Sequence, residues 1–487
     1  MKRKLKMITA SVLSLAMILS VTACNNEGGN SSDPEVTTNA RFDDLVEYIA
    51  DSGLNDKVDG SIEVTKKLKW MAWSGWSIDE TTAPAELFKL VYGVPESDKS
   101  DKIFEFSNVA YGDRYDQLGK LIAAGDAPDL FPFEINNFPY SAYKGLFQPI
   151  DDYVDLYAPE WEKTRYVMDQ FMWGGKNYCA ITNLEIDQVM WYRRSVVAEA
   201  GLKEPAELYK NDEWTWDAFL DMCDQWQNSG EGRYATDGWQ TPDGLVITSG
   251  VPIISIEDGK LKDNLYNADI ERAMTSLIDV LYKENYRYPR HEINGWGISM
   301  NDWIKGNTLF MTMEYTAYKD NFQGYIKRYK WDNTEIFCVP YPRDPQADKY
   351  YQKFKNFCYM LVAGSQNTEG FTAWTQCLIA TADDAETARL SREQLKINYD
   401  YSDELLDFFD DMLTDGRLTA VFDFKDGIGS DIVDSNTVYN PVAILTQIPY
   451  LNCVDADNNP VTFTTLRSSN EGIIRTRIDD LNASLGS

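Results

Sequence analysis

The chain has 487 residues, 44% of them hydrophobic, which is more than one core organises and reads as two domains of ordinary size or three small ones. Its 46 Lys and Arg stand against 77 Asp and Glu, a net charge of −31 that excludes a basic nucleic-acid footprint, so DNA and RNA are not expected partners. A single histidine, His291, excludes His-rich metal sites and leaves one imidazole for any catalytic triad; its polar setting after Pro289-Arg290 favours a solvated side chain.

In chain order, Lys2, Arg3, Lys4 and Lys6 precede an uncharged, mostly apolar run from Met7 to Ala23, and then comes Cys24. This is the layout of a bacterial export signal. The run is short for a membrane span and ends in polar Asn, Gly and Ser rather than a stop-transfer pattern. Val21-Thr22-Ala23-Cys24 resembles the bacterial lipobox, which implies removal of residues 1–23 and acylation of Cys24. Losing that leader removes four cations and no acid, so acyl chains rather than the protein surface are expected to hold the chain at an anionic membrane. Residues 25–39 have almost nothing to bury and read as a tether, and Phe42, Leu45, Val46 and Ile49 predict one face of a short helix over 41–50.

A strand is expected near Lys67–Ala72, a helix over Tyr115–Ala124, strands at Leu130–Phe133 and Gln188–Tyr192, and a helix after Arg194. Such alternation over hundreds of residues points to α/β layers. Thr215 is placed to cap a helix with Asp217 in its first turn. A further helix is expected from Asp269 to Tyr288, and a closing one from Glu471 to Leu485 with Ile473, Ile474, Ile478, Leu481 and Leu485 on one face. Cys179, Cys223, Cys338, Cys358, Cys377 and Cys453 lack any Cys-x-x-Cys spacing; an exported setting permits bridges, but sparse cysteines in a chain this large are expected as buried free thiols. Asp455-Ala-Asp457-Asn458-Asn459 lacks the Gly and Glu of a calcium loop and reads as a surface turn.

Several stretches in this order resemble the family-1 extracellular solute-binding proteins, the lipid-tethered receptors of ABC sugar importers. They are Lys120 to Asp152 with its Ala-Gly-x-x-Pro-Asp and Gly-Leu-x-x-Pro-Ile-Asp segments, Trp173 to Tyr192, Glu199 to Pro205, and Trp214-Thr215-Trp216-Asp217. Ile181, Arg193 and Gly306 to Phe310 depart from the family's usual pattern. The resemblance implies an α/β, two-lobed periplasmic-binding-protein-like fold with crossing strands near 179–187, 341–350 and 390–398 and a ligand cleft between the lobes. On this basis residues 24–64 are lipidated Cys, tether and helix, 65–181 plus 346–395 form lobe 1, and 182–345 plus 396–487 form lobe 2.

A pyranose has an apolar C–H face and a hydroxyl rim, so a sugar site needs flat rings together with carboxylates or amides. Rings expected at loop ends facing the cleft are Trp73, Trp76, Phe133, Trp173, Trp239, Trp296, Trp303 and Tyr315, core packing being the alternative for each tryptophan; Trp70, Trp214 and Trp216 are expected in the core. Polar candidates are Glu134, Asn136, Asn137, Glu185, Asp187 and Glu314, of which Asn136, Asn137 and Glu185 match places that often touch sugar in the family. Asp129 is a further polar candidate, with capping of backbone at a strand start as the favoured alternative. With 77 acids the sequence singles out no glycosidase pair. The resulting expectation is a monomeric, lipid-anchored receptor that binds a sugar or oligosaccharide, serves an ABC permease, and needs no cofactor or metal. The alternatives are a receptor for a peptide or other polar solute, and a secreted carbohydrate-degrading enzyme.

Overall fold

The protein is described by a computed structural model that covers residues 42–73, 80–93, 102–238, 241–284, 286, 296–429 and 462–486. Cys24, Trp76, Trp239, His291, Cys453 and the 455–459 turn lie outside these residues, as does the side chain of Trp296. Two compact units result. One takes the segments ending at Phe131, Asp152–Lys163 and Gly364–Gly416; the other takes Pro132–Asp151, Thr164–Ala363 and the chain from Arg417 onward. The expected lobes grouped 132–151, 164–181 and 346–363 with the first body and 396–416 with the second, so the boundaries differ there. Backbone bonds from Phe133, Gln148 and Ile150 to Cys358, Leu361 and Asn177 hold 132–151 in the second unit, and Arg392, on Asp407 and Asp410, holds the helix Asp403–Thr414 in the first.

In the first unit, β1 (Leu68–Trp73) runs parallel to β2 (Phe104–Val109) on one side and to the start of β3 (Leu130–Pro132) on the other. Its apolar run is buried because a central parallel strand is covered on both faces. The helices Ala83–Tyr92 and Thr368–Ala382 carry Phe88 and Trp374, whose rings meet at 6.3 Å, and Phe104 of β2 closes on the same tryptophan at 4.9 Å. Asp129 sits buried at the start of β3, where it accepts the Lys69 amide at 2.8 Å, the Ser365 hydroxyl at 2.7 Å and the Asn367 amide group at 3.3 Å. It ties backbone rather than ligand. Burial pushes its carboxyl upward against those three donors. Residues 390–398, expected as a crossing strand, lie in the helix Ala385–Tyr399, capped by Asp384 and anchored by buried Leu390 and Leu395.

The second unit is built on a sheet of order β10-β5-β9-β6, with strands Ile336–Val339, Gln188–Arg193, Thr308–Glu314 and Tyr234–Gly238. A second sheet has order β13-β11-β4, with strands Leu418–Val421, Tyr350–Phe357 and Asn183–Ile186. A buried amide network lies where these elements adjoin: Tyr341 Oη donates to Gln188 Oε1 at 3.1 Å, the Tyr341 amide to Gln352 Oε1 at 3.0 Å, and Gln352 Nε2 to the Gln188 carbonyl at 2.7 Å. Such mutual pairing is the condition for burying amides at low cost. Gly238 ends β6 at φ +132, where a Cβ would fall 2.1 Å from the Thr312 carbonyl oxygen, so no other residue fits that approach.

Local signals fare differently. Thr215 caps Trp216–Asn228 through the Ala218 amide, as expected, and Leu45 and Ile49 are buried on the helix Phe42–Asp51 whereas Val46 is exposed. The helical run from Ala268 stops at Lys283 rather than Tyr288, because the Tyr286 carbonyl accepts the Ala235 and Thr236 amides of β6 and leaves the helix to do so. The closing helix begins eight residues earlier than expected, at Phe463, and Ile474, Ile478 and Leu481 are buried on it while Ile473 faces solvent. Among the described residues no helix is long and apolar enough to cross a membrane.

Candidate functional site

Each unit carries one constellation at a strand end. In the first, β1 ends on Trp73, at the carboxyl edge of parallel strands, the place where open α/β sheets bind ligands. Trp73 is only 8% exposed, held by the rings of Tyr111 at 5.4 Å and Phe131 at 6.0 Å. The Arg114 guanidinium lies 3.7 Å from the Tyr111 ring centroid and 5.2 Å from that of Trp73, and it donates to the Tyr111 carbonyl. Tyr111 itself is 53% exposed and presents the open ring of this cluster. Neither Tyr111 nor Arg114 was expected. Their signal was weak, a Tyr and an Arg before a helix, and only the fold brings them beside Trp73.

The second constellation joins β4, β11 and the end of β9. Glu185 and Lys355 are cross-strand partners on β4 and β11, with Lys355 Nζ 3.5 Å from Glu185 Oε2. Asp187 follows β4, donates its amide to the Lys353 carbonyl at 3.0 Å, and accepts the Lys353 ammonium at 3.1 Å. Glu314 ends β9 opposite Gln188, and the Lys355 ammonium stands 5.8 Å from the ring centroid of the next residue, Tyr315. Thus four expected residues, Glu185, Asp187, Glu314 and Tyr315, come together around two lysines that sequence reasoning missed.

The electrostatics bind the group into one unit. Burial alone would lower both ammoniums, but Asp187 and Asp243 around Lys353, and Glu185, Asp187 and Glu314 around Lys355, outweigh it and hold both above the usual lysine range. Burial raises the Glu314 carboxyl, the Asp187 charge adds to the rise, and Lys355 opposes it. Fixed carboxylates and ammoniums of this kind offer acceptors and donors at set positions, which suits vicinal hydroxyls.

Because the folded carboxyl of Glu314 is raised above its unfolded value, its contribution to stability is fully present below the unfolded pKa and is lost as pH rises through the folded one. At neutral pH the ionised group therefore opposes folding. Glu314→Gln is expected to raise the melting temperature of the unliganded protein at neutral pH, to flatten its fall between mildly acidic and neutral pH, and to weaken solute binding by about tenfold, the scale of one charge-assisted hydrogen bond. Paired melting and calorimetric titrations check this; unchanged affinity removes Glu314 from the site.

The remaining candidates divide. Glu134, Asn136 and Asn137 surround a short turn, Ile135–Asn137, with Asn136 exposed. That turn is seated on the loop after β13, since a Cβ on Gly427 would fall 1.8 Å from the Phe138 carbonyl. Phe133 packs against Phe138 at 5.6 Å and Phe171 at 5.5 Å in the core of the second unit, so it offers no free face. Trp303 is 0% exposed and lies 5.0 Å from Phe322; Trp173 is likewise buried, and both fill core space instead of lining an opening. Trp70, Trp214 and Trp216 are buried as expected. Arg193, one of the departures from the family pattern, donates to Glu335 at 2.9 Å and to the Ile304 carbonyl at 2.8 Å, which makes it a tie between elements. All five described cysteines are buried and free. Among the described residues no group of His, Cys, Asp and Glu is arranged to hold a metal ion.

The sequence pattern of the bacterial extracellular solute-binding proteins matches residues 100–392, more than half of the chain, and the chain belongs to that family. No curated protein sequence matches it. Solved structures similar to it include the GacH receptor of Streptomyces glaucescens, determined unliganded and with acarbose, at 13% identity and a TM-score of 0.56 over 86% of this chain and 100% of that one. An ABC substrate-binding protein of Listeria monocytogenes in complex with cycloalternan is similar at 15% identity and 0.52, covering 87% and 99%. A cyclo/maltodextrin-binding protein complexed with maltotetraose is similar at 15% and 0.54, covering 85% and 97%. These likenesses establish the fold as mixed α/β and periplasmic-binding-protein-like, in a family of binding proteins.

Proposed function

We propose that the protein is the receptor of an ABC-type importer for a sugar or oligosaccharide, tethered through Cys24 to the outer face of a bacterial cytoplasmic membrane. The observation that carries this reading is the junction of Glu185, Asp187, Glu314 and Tyr315 with Lys353 and Lys355, a ring beside rigid charged groups, in a chain of the solute-binding family. The open Tyr111 ring, braced by Trp73 and Arg114, supplies a stacking surface of the kind an apolar sugar face requires. The saccharide ligands of the similar receptors agree with this chemistry. Binding, not bond cleavage, is the proposed activity, with delivery of the solute to the permease as its outcome.

Anchoring has its own test. Cys24→Ala should release the protein from the lipid-modified pool and leave solute binding by the folded domain unchanged. Metabolic labelling with a fatty-acid analogue that still marks the variant would refute acylation at Cys24.

A further inference from the structure

The helix Gln323–Tyr329 runs out into aromatic and basic residues, Tyr325-Ile326-Lys327-Arg328-Tyr329-Lys330-Trp331, that the proposed solute site does not use. Buried Phe322 and Ile326 anchor it in the second unit. Lys330 takes the left-handed conformation at φ +54, and the Trp331 amide returns to the Ile326 carbonyl at 3.1 Å, so the chain doubles back at the helix end. That reversal lays Trp331 on Tyr329, ring on ring, with 5.2 Å between centroids and 18° between planes. The Arg193 guanidinium lies 4.2 Å from the Trp331 ring centroid and is itself fixed by Glu335 and the Ile304 carbonyl. The stack is thus braced at half-buried Trp331, and Tyr329, 47% exposed, is its open member. Lys327, Arg328 and Lys330 are exposed around that ring, and among the described residues none of them is in an ion pair. Asp332, two residues on, turns its Oδ1 to the Thr334 amide and hydroxyl at 3.0 and 2.8 Å. In a chain of 77 acids and 46 bases, this turn therefore presents positive charge beside an open ring. The helix dipole accounts for cations in a last turn, but not for an open tyrosine held flat against a tryptophan.

We propose that the turn Tyr329-Lys330-Trp331, with Lys327 and Arg328, is a surface site for an anionic glycan. The open tyrosine ring receives the apolar face of a sugar, and the three cations receive its carboxylate, sulfate or phosphate groups. The stack with Trp331 holds the ring before any ligand arrives, so little order has to be created on binding. An anionic membrane also attracts cations and aromatic rings, but the one aliphatic side chain of this run, Ile326, is buried instead of being offered to an acyl layer. The site goes beyond the receptor reading, shares no residue with the proposed solute site, and stands or falls apart from it.

The test is affinity electrophoresis of the full chain in native gels cast with polygalacturonate, dextran sulfate or neutral dextran, with each protein's melting temperature measured alone. The expected result is retardation by polygalacturonate or dextran sulfate and not by dextran, weakening as salt is raised because exposed charges are screened. Tyr329→Ala, and separately the triple variant Lys327→Gln, Arg328→Gln, Lys330→Gln, should each weaken that binding by about tenfold or more with little change in melting temperature. Tyr329→Phe keeps the ring and should bind like the parent. Unchanged mobility of the parent chain in both acidic polymers overturns the inference, and co-sedimentation with phosphatidylglycerol vesicles in that case assigns the patch to a membrane surface. Full binding by Tyr329→Ala also overturns it, since the patch is then plain charge adsorption, and so does equal retardation by neutral dextran.

Discussion

Lys425→Ala is expected to destabilise the protein by about 3–5 kcal/mol, the range for removing one partner of a buried ion pair. The Lys425 ammonium is buried, 3.1 Å from Asp243 Oδ2 and 2.8 Å from Asp426 Oδ2. Burial alone would lower its pKa, but Asp243, Asp426 and Asp423 reverse the sign and hold it far above the usual lysine value. A raised lysine contributes stability fully present below its unfolded pKa, so the whole contribution is in force at neutral pH. Asp423, beside it, accepts the Ile253, Ile254 and Lys425 amides at 3.2, 3.0 and 3.0 Å and so fixes the loop on which the Ile135–Asn137 turn rests. Removing the cation leaves that acid group without its main counter-charge in a site water barely reaches. Urea unfolding of the variant, with Asp243→Asn and the double variant to close the cycle, measures the coupling. A loss below about 1 kcal/mol, the scale of an exposed pair, contradicts the description of this network as buried.

Trp303→Ala is expected to cost about 3–5 kcal/mol of folding stability, as large-to-small changes at core aromatics do. Its ring is fully buried against Phe322, on the helix Trp296–Ile304, and touches no open surface. Affinity of the surviving folded protein should be unchanged. Tyr111→Ala should behave in the opposite way, because its ring is half open and its loss empties no core: little change in melting temperature, and binding weaker by about tenfold or more, the order of an interface aromatic. Trp73→Ala falls between, since its ring is nearly buried yet braces Tyr111, and should lower both stability and affinity. Calorimetry and thermal melts on the three variants separate the roles. A Trp303→Ala protein that melts like the parent but binds poorly would return that residue to the site.

The contrast between these tryptophans shows what the sequence could and could not carry. The sequence placed both Trp73 and Trp303 among the rings expected at loop ends facing a cleft, with core packing as the alternative for each. Which one packs against Phe322 is decided by the register of helix on strand, a tertiary fact. The strand leading to Trp73 was legible from its apolar run, and so was the Thr215 cap, since each depends on neighbours within a few residues. Lys353 and Lys355 were not. Their meaning comes from facing Asp187 and Glu185 across β4 and β11, strands separated by more than 150 residues of chain. Helix ends erred for the same reason: the Asp269 helix stops where Tyr286 is recruited by β6, a competition invisible to local periodicity.

The central claim is that the folded chain binds a saccharide. A ligand that binds only the native state raises its melting temperature, by an amount corresponding to about 2.7 kcal/mol at one hundred times its dissociation constant. The most direct measurement is therefore a thermal-shift screen of the purified full chain against mono- and oligosaccharides, peptides and other polar solutes, followed by calorimetry on any hit and by product analysis of the sugar after incubation. The account predicts that at least one sugar or oligosaccharide raises the melting temperature in a saturable way, binds with one-to-one stoichiometry, and is recovered unaltered. Stabilisation by peptides and by no saccharide, or recovery of the bound glycan as cleavage products, would contradict it.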